Sequence, residues 1–84
     1  MTEIEPQVEV FPQPHCAPCR EVERFLRERN VDFEMRDVTA DPDALETIVR
    51  EGFMATPVTR IGRRWIAGFR RRELETALRE ASLP

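Results

Sequence analysis

Apolar residues along the chain recur with two spacings, one typical of strands and one typical of helices. Residues 8–11 read Val-Glu-Val-Phe, a short β-branched and aromatic run that predicts a first strand. From about residue 17 to 29, the apolar side chains of Val22, Phe25 and Leu26 recur three and four positions apart. This spacing predicts a helix with one apolar face.

The next segments predict a second strand and a second helix. Residues 31–36 alternate between apolar and charged side chains, so we expect a half-exposed strand. Its inward-facing side chains would be Val31, Phe33 and Met35. Asp41-Pro42 is typical of a helix start, and Gly52 is a natural residue to follow a helix end. The expected apolar face of this second helix is formed by Leu45, Ile48 and Val49.

The last third of the chain predicts a hairpin followed by a helix. Residues 58–61 and 65–67 form two short strands joined by a tight turn at Gly62-Arg63. The third helix is expected from about residue 71 to 81. It carries apolar side chains at helical spacing, namely Leu74, Ala77, Leu78 and Ala81.

The order strand, helix, strand, helix, hairpin, helix predicts an α/β fold. The first three elements form a right-handed βαβ unit with parallel strands, and the hairpin is antiparallel. The result is a four-stranded mixed sheet with helices on both faces. Because the chain has 84 residues, we expect one domain over residues 7–84, after a flexible lead-in at residues 1–6.

Composition narrows the choice of partner and compartment. The net charge is −3, so we expect no binding to nucleic acid or to an anionic membrane. The first seven residues are acidic and lack an apolar run, so we expect no signal peptide, no membrane span and a cytoplasmic location. In that compartment a Cys-x-x-Cys is more often catalytic or metal-binding than structural.

Both cysteines lie where the first strand gives way to the first helix. Cys16 would occupy the N-cap, and Ala17, Pro18 and Cys19 the first turn. Unpaired amides and the helix dipole stabilise a thiolate there, and such sites lower a cysteine pKa from about 8.5 to roughly 3.5–7.5. Cys19, one turn on, lies within reach of the Cys16 sulfur. The pair is therefore interpreted as a dithiol that performs thiol–disulfide exchange.

Several features near the pair have two interpretations. A closed zinc site needs four ligands, and the chain has two Cys and one His, so zinc or an iron–sulfur cluster would require a dimer or an outside thiol. His15 could favour the Cys16 thiolate as an imidazolium, or simply be an exposed loop residue. Trp65 and Phe69 could form an apolar lip for a partner or pack in the core. Arg70–Arg72 could attract an acidic partner or be solvated.

Three motifs together resemble the glutaredoxin family over about residues 7–81. They are the strand–Cys-x-x-Cys–helix unit, Thr56-Pro57 before the third strand and Gly68-Phe69 before the third helix. The resemblance implies a thioredoxin-like fold and a thiol–disulfide oxidoreductase that reduces protein disulfides, with Cys16 as nucleophile and Cys19 as resolving residue. It also implies that Pro57 follows a cis peptide bond. The alternative is a non-catalytic redox-sensing, iron–sulfur or zinc-binding module on the same fold.

The resemblance also implies partners and a binding surface. Partner contacts are expected from His15, Ala17, Pro18, Thr56, Pro57, Gly68 and Phe69. We expect no permanently bound cofactor and no bound metal, a monomer, disulfide-containing protein substrates, and either glutathione or a thioredoxin-reductase-type flavoprotein as reductant. The Gly68-Phe69-Arg70 sequence stands where glutathione-using members carry Gly-Gly and an acid, and it resembles the glutaredoxin-like electron donors of ribonucleotide reductase.

Overall fold

The computed structural model describes residues 6–84 and contains the predicted elements in the predicted order. The lead-in predicted for residues 1–6 lies, except for Pro6, outside the described residues. The α/β class and the mixed sheet are confirmed. The elements are β1 (Val8–Phe11), α1 (Ala17–Glu28), β2 (Glu34–Met35), α2 (Pro42–Arg50), β3 (Val58–Ile61), β4 (Arg64–Ala67) and α3 (Arg71–Glu80).

The four strands form one sheet in the order β2-β1-β3-β4. β1 and β2 are parallel, whereas β3 is antiparallel to both β1 and β4. Phe11 at the end of β1 pairs with Val58 at the start of β3, and Val58 pairs with Ala67 at the end of β4. The register therefore brings three connecting segments to one end of the sheet: the residues after Phe11, before Val58 and after Ala67.

The larger core lies between the sheet and helices α1 and α3. The predicted apolar face of α1 is confirmed, since Val22 and Leu26 are fully buried and Phe25 is 4% exposed. On α3, Leu74, Ala77 and Leu78 are buried and Ala81 packs at the edge of this core. Thr59 of β3 is also fully buried, and its hydroxyl has no hydrogen-bond partner within residues 6–84.

α2 covers the opposite face of the sheet, and its predicted apolar face is wrong in part. Ile48 is buried as expected, but the second buried position is Ala44, and Leu45 and Val49 are 46% and 50% exposed. The smaller core below α2 is built on Phe11, Val38, Ala44, Ile48 and Val58. This apolar patch is narrow, so a nine-residue helix buries only one i, i+4 stripe against it.

The remainder of that sheet face carries charged side chains instead of apolar ones. Arg60 donates from Nε to the Glu9 carboxylate at 2.7 Å and from Nη1 to the carbonyl of Gly62 at 2.6 Å. Arg36 lies 3.4 Å from Glu9 and 3.5 Å from Asp41. These partly buried ion pairs occupy the part of the sheet that α2 does not cover.

The predicted strand at residues 31–36 is much shorter in the structure. Only Glu34 and Met35 form β2, where they pair with Glu9 and Val10. Met35 is 46% exposed, which contradicts its predicted inward position, whereas Val31 is buried and Phe33 is half-buried. The alternating pattern failed here because β2 is an edge strand whose two residues lack a covering helix on either side.

The two ends of α2 agree with the local sequence. The Asp41 carboxylate accepts from the amides of Asp43 and Ala44, as an N-cap should. Gly52 follows α2 with a φ of 92°, which is the left-handed conformation that glycine adopts without strain. Within residues 6–84, we find no helix with the length and apolar character needed to cross a bilayer.

Candidate active site

Cys16 and Cys19 are joined by a disulfide at the N-terminus of α1. Cys16 is the N-cap residue, and its sulfur accepts a hydrogen bond from the Cys19 amide at 3.2 Å. The two sulfur-bearing residues differ in exposure, since Cys16 is 7% exposed and Cys19 only 1%. Another molecule can therefore reach Cys16 from solvent more readily than it can reach Cys19, which is almost fully buried.

Exposed side chains flank Cys16 along the chain. His15 lies in the loop before Cys16, Ala17 and Pro18 lie in the first turn of α1, and all three are exposed. His15 has a φ of 59°, a left-handed conformation that is uncommon for residues other than glycine and asparagine. The chain thus turns sharply at His15 immediately before it enters α1, which sets the direction in which Cys16 faces.

Thr56 and Pro57 come to the same end of the sheet from the start of β3. The Thr56–Pro57 peptide bond is cis, as the family resemblance implied. The Thr56 hydroxyl lies 3.8 Å from the Cys16 sulfur and donates to it, and Pro57 is buried beside it. Two donors from distant parts of the chain, the Cys19 amide and the Thr56 hydroxyl, therefore point at one sulfur atom.

A groove of about 760 Å³ lies at the start of β3 and the end of β4, and it is lined by Thr56, whose hydroxyl donates to this sulfur. Two loops form its walls, residues 52–57 and residues 67–70. The Gly68 amide donates to the Pro57 carbonyl at 2.8 Å and so ties the two walls together. Met54 is 88% exposed, which makes it the most exposed large apolar side chain within residues 6–84.

The two aromatic residues considered as a lip occupy different surroundings. Trp65 is half-buried, with its ring centroid 5.7 Å from that of Phe11 and 6.1 Å from that of Phe53. Phe69 lies in the wall of the groove, but its ring packs against the larger core and meets the edge of Phe25. Trp65 therefore packs against Phe53 of the groove, whereas Phe69 lines the groove and its ring contacts Phe25 of the larger core. The sequence indicated Phe25 only as a core residue of α1.

Arg70 occupies the N-cap of α3, where it makes no side-chain capping bond. Its Nε donates to the carbonyl of Ala67 at 3.2 Å and lies 3.5 Å from the Glu73 carboxylate. Arg71 instead pairs with Glu75. Of the basic run considered for partner attraction, Arg70 is thus the residue that lines the groove.

The described part of the chain holds no group of three or more His, Cys, Asp or Glu residues that could bind a metal ion. Cys16 and Cys19 consequently have no third protein ligand beside them in residues 6–84. A metal or iron–sulfur site at this pair would need ligands from a second molecule.

Comparison with known proteins agrees with this geometry. A family model described as Glutaredoxin matches residues 8–66. The chain is 45% identical over 47 residues to the SPbeta prophage-derived thioredoxin-like protein YosR of Bacillus subtilis, an alignment that covers 56% of this chain and spans 55% of that protein. It is 32% identical over 63 residues to the glutaredoxin-like protein NrdH of Salmonella typhimurium, covering 75% of this chain and 78% of that protein.

A solved structure gives the same result for the fold. The glutaredoxin-like protein NrdH-redoxin from Escherichia coli, whose structure was described for its thioredoxin-like activity profile, superimposes with a TM-score of 0.77. The sequence identity is 29%, and the match covers 82% of this chain and 91% of that one. The thioredoxin-like fold expected from the sequence is thereby confirmed.

Proposed function

Because the chain belongs to the glutaredoxin family, we propose that it is a thiol–disulfide oxidoreductase that reduces disulfide bonds in partner proteins through Cys16 and Cys19. The observation that carries the proposal is the unequal exposure of the two residues at a helix N-terminus, 7% for Cys16 and 1% for Cys19. The cysteine that attacks a partner disulfide must be accessible to the partner. The cysteine that later breaks the mixed disulfide must be shielded, so that the partner does not react with it instead.

The reaction proceeds in two exchange steps from the dithiol form. The Cys16 thiolate attacks one sulfur of the substrate disulfide, which forms a mixed disulfide and releases the other substrate sulfur as a thiolate that takes up a proton. Cys19 then loses its proton and attacks the Cys16 sulfur, which releases the second substrate thiol and leaves the Cys16–Cys19 disulfide. Two electrons pass from the dithiol to the substrate.

The environment of Cys16 supports its role as the attacking group. The Cys19 amide at 3.2 Å and the Thr56 hydroxyl at 3.8 Å are both donors that stabilise a negatively charged sulfur more than a neutral one. Cys19 lies one helical turn away, so the second step needs no large movement of the chain. Partner residues that flank the attacked sulfur would lie in the groove beside Thr56, Pro57, Gly68 and Phe69.

For the reductant we propose a thioredoxin-reductase-type flavoprotein in the cytoplasm in preference to glutathione. The groove is lined by Gly68-Phe69-Arg70, where glutathione-using relatives carry Gly-Gly and an acidic residue, so Phe69 replaces the second glycine and Arg70 replaces the acid. Arg70 also donates to the carbonyl of Ala67 within its own loop. A comparison of turnover with NADPH and thioredoxin reductase against turnover with glutathione and glutathione reductase tests this preference, and faster turnover with glutathione would contradict it.

The function itself is tested by reduction of insulin with dithiothreitol as the terminal reductant. We expect wild type to accelerate the reaction, and we expect Cys16→Ser to abolish the acceleration. Cys19→Ser should form a mixed disulfide with insulin that non-reducing electrophoresis resolves and that added dithiothreitol releases. If Cys16→Ser accumulated the same adduct as Cys19→Ser, the assignment of the two sulfurs would be reversed or wrong.

A further inference from the structure

We propose that Phe25, a core residue of α1, is a positioning residue that holds the loop Gly68-Phe69-Arg70 at a fixed distance from the Cys16 sulfur. The inference rests on the proposed function, because this loop is one wall of the groove in which a partner segment would lie. Phe25 does not touch the groove itself, since it is absent from the residues that line it. Its effect would be on how well a protein partner binds.

Phe69 is the one side chain of the loop Gly68-Phe69-Arg70 that packs against the core. Gly68 has no side chain, and the side chain of Arg70 is exposed, whereas Phe69 is half-buried and packs against the core. The rings of Phe69 and Phe25 meet edge-to-face, with centroids 6.2 Å apart and an interplanar angle of 69°. Edge-to-face pairs fix relative orientation as well as burying area, so the Phe25 ring determines where the loop rests.

Phe25 is itself held from several directions. It is 4% exposed, and the guanidinium carbons of Arg29 and Arg71 lie 4.5 Å and 5.4 Å from its ring centroid. The Glu75 carboxylate lies 2.8 Å from Arg29 and 3.5 Å from Arg71. Glu75 on α3 thus keeps the two guanidinium groups over the Phe25 ring. These contacts restrict movement of the ring against which the loop packs.

α1 carries both the attacking sulfur and this anchor. Cys16 is its N-cap and Phe25 lies nine residues on, about 13 Å along the helix axis. Since α1 is rigid over that length, this one helix sets the spacing between the Cys16 sulfur and the loop that packs on Phe25. The Gly68 amide, which donates to the Pro57 carbonyl at 2.8 Å, transmits the loop position to the opposite wall.

The test compares Phe25→Leu with Phe33→Leu. The second substitution is a matched control, because Phe33 also lies beneath an arginine, with the Arg27 guanidinium 5.5 Å from its centroid, but contacts a different end of the molecule. We expect Phe25→Leu to raise the KM for insulin by about twofold to tenfold, the factor that an aromatic pair is worth. Its kcat for insulin, and its turnover of the small substrate hydroxyethyl disulfide, should stay within about twofold of wild type.

A uniform loss for both substrates, or an equal rise in KM for Phe33→Leu, would overturn the proposal. Amide hydrogen exchange gives a second readout that does not depend on catalysis. We expect exchange of the Gly68 amide to rise about twofold to tenfold in Phe25→Leu but not in Phe33→Leu, relative to the amide of Val10 in β1. If wild type failed to reduce insulin, the proposed function would fail, whereas unchanged Gly68 exchange in Phe25→Leu would reject the positioning role.

Discussion

At the scale of single residues, the site depends on how one sulfur is surrounded. The Cys19 amide donor could be predicted from the sequence, because Cys16 stands where an N-cap is expected and the spacing of three residues is that of a capping bond. The Thr56 donor is forty positions away and could be expected near Cys16 only through the family resemblance. Nothing in local spacing indicates that its hydroxyl reaches the sulfur.

Thr56→Val should make the reduced Cys16 thiol harder to ionise. The variant keeps the shape of the side chain and removes the hydroxyl that donates to the sulfur. We expect the pH midpoint of iodoacetamide alkylation to rise by about half a unit, equivalent to about 0.7 kcal/mol. Thr56→Ser keeps the hydroxyl and should leave the midpoint close to that of wild type, so an equal shift in both variants would contradict the hydrogen bond.

Thr59→Val should stabilise the protein. The Thr59 hydroxyl is fully buried and has no hydrogen-bond partner in the described chain, so its desolvation is uncompensated. Replacement by a methyl group of similar size should raise the free energy of unfolding by about 1 kcal/mol in urea denaturation. Thr59→Ser, which keeps the hydroxyl and loses a methyl group, should lower it by about 1 kcal/mol. A loss of stability in Thr59→Val would reveal an unseen partner for the hydroxyl.

At the scale of elements, sequence periodicity predicted where the helices lie better than it predicted which residues of each helix are buried. α1 and α3 bury the residues expected, such as Leu26 and Leu74, because the core above that sheet face is wide enough for a full apolar stripe. Leu45 and Val49 of α2 are apolar yet exposed, because the sheet below them turns from apolar to charged at Glu9. Which sheet residues face a helix depends on strand register, which the pattern of one segment does not contain.

The ion pair between β4 and α3 should make stability depend on pH. Hydrogen bonds from Arg64, at 2.9 Å and 3.1 Å, lower the pKa of Glu80 below its ordinary value of 4.5. A lowered carboxyl pKa stabilises the fold above the ordinary value, and that contribution is lost as the pH falls through the lowered one.

Glu80→Gln should therefore have a lower Tm than wild type near pH 7, and the difference should shrink to nothing as the pH falls well below 4.5. Thermal unfolding followed by circular dichroism measures it. Arg64→Gln should show the same loss at pH 7, and the double variant should lose little more than either single one. A Tm difference that persisted at low pH would assign the effect to packing.

At the scale of the whole molecule, the sheet divides two cores of different size. Among residues 6–84, eleven buried residues form the core shared by α1 and α3, and five form the core below α2. The predicted order of elements implied helices on both faces of the sheet, but not that α2 would cover one face by itself, and the small size of the core below α2 follows from the ion pairs around Glu9. The fold could thus be read from the sequence, and the distribution of stability within it could not.

Amide hydrogen exchange should reveal this asymmetry. We expect the amides of α2, for example Ile48, to exchange at least about tenfold faster than those of Leu26 in α1 and Leu78 in α3, since α2 opens without disrupting the larger core. Because Cys16 lies at the start of α1, the site should remain intact when α2 opens. Equal exchange in all three helices would indicate one cooperative unit.

The two-residue length of β2 affects how the molecule meets other chains. Its outer edge offers the backbone of only Glu34 and Met35, and the first of these carries a negative charge. Two residues offer too few backbone amides and carbonyls for a stable ladder of hydrogen bonds to an added strand. The charge of Glu34 further disfavours such pairing. In concentrated solution, copies of the protein would therefore not grow into fibrils from the β2 side of the sheet.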